Sequence, residues 1–192
     1  SRAPLRLLSY LAPSIPEGLF ELLAEAIATG TGHRVTVDFE TRVSGPVPET
    51  DPFASGRADA AFVCGPSYSL LRCAGVPVEI VPAAAVFDDP RNQGHPVYFS
   101  DVVVRRDHPA RTLEDLRGAV WTYNDRQSLS GWHRMLARLE GLGLGAPEQF
   151  FSRVIASGAH VKSIERVAGG EADVSAVDSN VLLLARRRDA GL

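Results

Sequence analysis

Short apolar runs alternate with helix-spaced stretches along this chain, and that grammar leaves few architectures open. "LRLLSY" at 5 to 10 is a strand pattern, and "PSIPEGLFELLAEAIATGTG" follows with Leu19, Leu22, Leu23, Ala26 and Ile27 at the spacing of one helix face. Ser14 is the expected N-cap, with Gly30 and Gly32 ending the helix. "HRVTVDFE" then alternates as a strand. A strand, helix, strand unit of this kind builds a parallel sheet through a right-handed crossover, which places the chain in the α/β class.

The pattern continues after a Pro/Gly-rich loop at 44 to 52. "PFASGRADAAFVCGPSYSLLRC" predicts a short helix, a strand over 59 to 64 and a helix beginning near Pro66, and "PVEIVPAAAVFDD" predicts another strand. Turn-rich "DDPRNQGHP" separates this half from "VYFSDVVVRRDHP", a long strand pattern suited to crossing from one lobe to another. The second half reads as helix ("TLEDLRG"), strand ("AVWTYN"), helix ("SGWHRMLARLEGLG"), strand ("FSRVIAS"), helix ("HVKSIERVAGG"), strand ("ADVSAVD") and a last helix ("SNVLLLARRRD").

Composition narrows the partners. With 192 residues, 45% hydrophobic and 22% charged, the chain can build one sizeable domain or two small lobes. A formal net charge of -3 gives no electrostatic footprint for nucleic acid, and no segment approaches the roughly 18 apolar residues of a membrane span. A small-molecule or protein partner remains. The start, "SRAPLRLLSYLAPSIPEG", imitates a secretory leader through Arg2 and Arg6, but Pro13, Pro16 and Glu17 stop the run, so it reads as mature sequence. A leader removed upstream would place the protein in the periplasm or outside the cytoplasm; otherwise it is cytoplasmic. Cys64 and Cys73 lack C-x-x-C spacing and are expected as free, buried thiols. His33, His95, His108 and His133 show no metal-ligand spacing, and no cofactor motif is present. Neither a metal nor a cofactor is expected.

In α/β lobes ligands collect beyond the carboxyl ends of strands, where the N–H groups and dipole of the next helix favour an anion. Four such junctions carry small or hydroxylated residues: "SYLAPS", "VCGPSY", "YNDRQSLSG" and "IASGAH". Ser128 and Ser130 either cap the following helix or donate to an anion, and Gly131 permits close backbone approach. His160 opens the helix after Ser157 and Gly158, a position that favours its neutral form. Asp178 either caps the last helix or receives a cationic ligand group. Tyr10 and Tyr68 stand near strand ends in the first half, as core residues or phenol donors; Trp132 and Tyr123 are expected in the core.

"ADAAFVCGPSY", "YNDRQSLSGWHRM" and "SGAHVKSIERVAGGEADVSAVDSN" resemble, in order and spacing, the motifs of the PhnD-like phosphate/phosphonate-binding proteins of ABC importers. The resemblance covers nearly the whole chain. It implies a type II periplasmic-binding-protein fold, two α/β lobes with a ligand cleft between them. The first lobe would comprise 1 to 97 with 179 to 192, and the second 98 to 178. Carried over by position, the ligand-binding residues are Tyr10, Tyr68, Ser128, Ser130, His160 and Asp178. Leu129 departs from the S-T-S-G turn by removing a hydroxyl, and the chain stops at Leu192, where relatives carry further helices.

The function implied is capture of a small oxyanion, a phosphonate or phosphate ester, for an ABC permease and without chemistry. An enzyme on the same fold, of the thiamin-precursor or menaquinone-pathway type, would use His160 or Asp178 as acid or base and Cys64 as nucleophile. A ligand-sensing domain is the third reading.

Overall fold

The structure, a computed structural model, describes residues 3 to 189; Arg2 of the leader-like start lies outside them. The chain divides into two compact units, Ser1–Glu79 and Ile80–Leu192.

The first unit is a three-stranded parallel sheet. Strand β1 (Leu5–Ser9) sits between β2 (Val35–Phe39) and β3 (Ala60–Phe62). Helix α1 (Glu17–Thr31) links β1 to β2, and α2 (Gly65–Cys73) follows β3. Helix α1 starts after Pro16 and Ser14 does not cap it, because a proline pushes the residue before it out of the helical region. Gly32, at φ 69°, ends the helix, while Gly30 lies inside it. Phe20 of α1 packs between Phe39 and Phe62, at 6.1 and 5.0 Å between ring centroids.

Residues 53 to 56 form turns instead of the expected short helix. The Asp51 carboxylate accepts the N–H groups of Phe53 and Ala54, at 2.8 and 3.3 Å, and Gly56 adopts φ +66°. Both cysteines are free, but neither is buried: Cys64 is half-buried in front of α2 and Cys73 is exposed at its end.

The second unit is a four-stranded sheet in the order β4-β7-β5-β6, formed by β4 (Ser100–Val104), β7 (Val174–Asp178), β5 (Val120–Tyr123) and β6 (Arg153–Ala156). Strands β5, β6 and β7 are parallel and β4 runs against β7, pairing Ser100 with Asp178. Helices α3 (Arg134–Gly141), α5 (His160–Ala168) and α6 (Ser179–Arg188) each follow a parallel strand, and a short α4 (Pro147–Phe150) precedes β6. The core is aromatic: Trp121 stacks on Trp132 at 5.1 Å and 12°, with Tyr123, Met135, Leu139, Phe150 and Phe151 around them. Tyr123 and Trp132 are therefore core residues, as their positions predict.

Two further expectations differ. "TLEDLRG" contributes only a single 3-10 turn, Glu114–Leu116. "PVEIVPAAAVFDD" forms no strand. Its short-range bonds run two residues back, from Val78 N–H to the Val76 carbonyl and from Ala83 N–H to the Val81 carbonyl, and Ile80 and Val81 are exposed. β propensity alone does not make a strand without a neighbour to share the ladder.

Candidate functional site

Because β5, β6 and β7 are parallel, the starts of the elements after them gather on one edge of the second sheet. Between β5 and α3 lies a π turn, Leu129–His133, capped by Ser128. The Ser128 carbonyl accepts both the Trp132 and the His133 N–H, at 3.2 and 3.1 Å, and its hydroxyl accepts the Gly131 N–H at 3.0 Å. The capping reading of Ser128 is thus realised, and its own O–H remains available to donate.

The turn after β6 is stapled to the end of β5. Ser157 N–H donates to the Tyr123 carbonyl at 2.7 Å and Gly158 N–H to the Asn124 carbonyl at 2.8 Å, with Gly158 at φ 87°. That staple delivers His160, the first residue of α5, against the serine turn. Its Nε2 lies 3.2 Å from Ser130 Oγ and 3.5 Å from Ser128 Oγ. Ser128, Ser130 and His160 are 0, 2 and 6% exposed, so the three residues picked from sequence form one buried polar cluster. Burial holds the imidazole down to about 4, which keeps it neutral at physiological pH. With its proton on Nε2 the ring donates toward the serines; with the proton on Nδ1 it accepts from them.

Gly131 serves a purpose different from the expected approach to a ligand. A Cβ there would collide with Asn124 Oδ1 and stand 3.0 Å from His160 Cε1. The space is filled by the protein's own side chains. Asn124, 3% exposed, is a structural partner of the site that the spacing does not single out; its one visible signal is its place at the end of a strand followed by a turn.

Asp178 caps α6, with one carboxylate oxygen accepting the Asn180 and Val181 N–H groups at 2.7 and 3.4 Å. Burial, with Asp101 adding like charge, pushes it up to about 6 against those two hydrogen bonds. It connects to the serine turn through the sheet. Its register partner Ser100 donates its hydroxyl to the Ser130 carbonyl at 2.7 Å. Arg126 holds its guanidinium 4.8 Å over the Trp132 ring.

In the first unit, Tyr10 follows β1, with its N–H on the Phe62 carbonyl at 3.0 Å, and is 5% exposed against Leu8 and Ala58. Burial raises its phenol, with Arg57 opposing and Glu40 and Asp51 adding to the shift. Tyr68 is half-buried in the first turn of α2. Among the described residues no group of His, Cys, Asp and Glu could hold a metal ion, and no helix is long and apolar enough to cross a membrane.

Comparison with known proteins agrees with this architecture. A search of curated protein sequences returns no match. Among solved structures, a binding-protein component of an ABC phosphonate transporter from Pseudomonas aeruginosa is similar with a TM-score of 0.78 and 14% identity, covering 99% of this chain and 62% of that one. PhnD1 from Prochlorococcus marinus, solved with methylphosphonate, matches with a TM-score of 0.74 and 17% identity, covering 97% of this chain and 67% of that one. The aliphatic sulphonate binding protein SsuA from Escherichia coli gives a TM-score of 0.63 and 16% identity, covering 98% of this chain and 55% of that one. The chain therefore spans less than two thirds of the length of the first and third of these relatives. The shared fold is the type II periplasmic-binding-protein fold. The family model for the periplasmic phosphonate substrate-binding proteins of ABC transporters matches residues 8–191, and the chain belongs to that family of binding proteins.

Proposed function

We propose that this chain binds a small phosphonate-type oxyanion reversibly, as the substrate-binding component of an ABC importer. The observation that carries the reading is the convergence of two serine hydroxyls on a neutral, buried imidazole at the start of α5. Neutral donors and helix N-termini stabilise an anion without an ion pair, so release needs no charge separation. Asp178 would receive a ligand amino group on the carboxylate oxygen that the cap does not use.

The test is a thermal-shift and calorimetric screen of the full chain with methylphosphonate, phosphite, phosphate and alkylsulphonates. A ligand at 100 times its Kd adds about 2.7 kcal/mol to stability. A specific shift with methylphosphonate or a close oxyanion, and recovery of that compound unchanged, is the expected result. Silence across all four classes would sink the proposal; turnover of the bound compound would make the protein an enzyme.

A further inference from the structure

A groove of about 600 Å³ lies in the second unit between α3 and the edge strand β4. It adjoins the serine and histidine cluster through Ser130, which lines it. Ser130 stands between the two, its hydroxyl turned to His160 while its carbonyl accepts Ser100 on the groove side.

The two walls of the groove differ in chemistry. Arg134 and Arg138, one helical turn apart on α3, line one wall, and both are exposed. Like charges at this spacing repel, and no ion pair found among the described residues includes either of them. The third arginine, Arg91, is shared by two carboxylates. It pairs with Asp89 at 2.7 Å and Asp101 at 2.8 Å, and its guanidinium lies 4.7 Å over the Phe99 ring. The facing wall is mixed: Phe99 and Val102 are 36% and 49% exposed, and Asp101, paired to Arg91, lies between them along the strand, while half-buried Leu129 also lines the groove. A groove with an unneutralised arginine pair on one side and exposed apolar side chains on the other matches a ligand with a planar anionic head and a hydrocarbon tail.

We propose that this groove is a second binding site, for an amphiphilic carboxylate whose head is held by Arg134 and Arg138 and whose tail lies along Phe99, Val102 and Leu129. The two guanidinium groups offer several N–H donors to one carboxylate, and the tail removes apolar surface from water.

The probes are octanoate, which has head and tail, and acetate, which has the head alone, titrated calorimetrically into the full chain. The wild type is expected to bind octanoate and to bind acetate at least about tenfold more weakly. Arg134→Gln with Arg138→Gln is expected to weaken octanoate by on the order of tenfold or more and to leave methylphosphonate binding as in the wild type. His160→Gln is expected to do the reverse. Octanoate that fails to bind the wild type, that binds the double arginine variant equally well, or that acetate matches, overturns the second site. Loss of methylphosphonate binding in the wild type with octanoate binding intact overturns the proposed function alone.

Discussion

Ser130 Oγ and His160 Nε2 lie 3.2 Å apart although thirty positions separate them in sequence, and each is held there by a different strand end. Ser130 is fixed by the turn that Ser128 caps, and His160 by a turn whose N–H groups donate to the carbonyls of Tyr123 and Asn124. The pair is a product of the parallel order of β5 and β6.

If this pair receives the ligand, His160→Gln and Ser128→Ala each weaken methylphosphonate binding by about 1 to 3 kcal/mol, the cost of leaving a buried polar partner unmatched. Ser128→Ala also removes the cap and lowers stability by about 1 kcal/mol. Calorimetry and urea unfolding of the same preparations separate the two effects. Unchanged affinity in both variants would take the ligand away from this turn.

Gly131→Ala is expected to destabilise the protein by about 1 to 3 kcal/mol, because the added methyl meets Asn124 Oδ1 in a space with no slack. Its affinity for methylphosphonate should fall as well, since Asn124 and His160 must both move. Denaturant titration reads the first effect. A variant as stable as the wild type would mean that Asn124 repacks freely.

Ser100→Ala removes the hydroxyl that ties β4 to the Ser130 carbonyl at 2.7 Å. The expected loss is about 1 kcal/mol of stability, with methylphosphonate affinity reduced severalfold through a loosened turn. Faster amide exchange at Ser130 and Gly131 than at Met135 would show the loosening directly; equal exchange at all three would contradict it.

The acid profile carries two opposed slopes. His160 is held near 4 against an ordinary 6.5, so between these values the unfolded chain binds more protons and stability rises with pH. Asp178 is pushed up to about 6 from an ordinary 3.8, so across that window the folded chain binds more protons and stability falls with pH. Asp178→Asn, which preserves the cap, should leave the histidine slope alone, a rise of about 3 kcal/mol from pH 4 to 6.5 by the pKa difference. His160→Gln should slope the other way, with the wild type between. Parallel urea profiles for the three proteins at pH 4.5, 5.5 and 6.5 would contradict both assignments.

Much of this is legible in the sequence. The alternation of strand and helix spacing identifies the parallel strands of both sheets, and "SLSG" and "SGAH" mark the two turns that meet. What failed did so for want of a partner. Ile80 and Val81 have strand chemistry, yet they stay exposed because no neighbouring strand shares their ladder among the described residues. The place of Asn124 against Gly131 depends on a contact between turns, and spacing along the chain carries no signal for it. Asp178 illustrates a third limit, since cap and ligand receptor use the same side chain and only geometry shows that the cap is made.

The π turn ahead of α3 inserts one residue more than an α-helical turn would hold, and each residue of an α-helix advances the side-chain direction by about 100°. It therefore acts as a phase shifter. Met135 and Leu139 keep their bearing toward the aromatic core while Ser130 is aimed independently at His160. Deletion of a single residue there would rotate one set against the other.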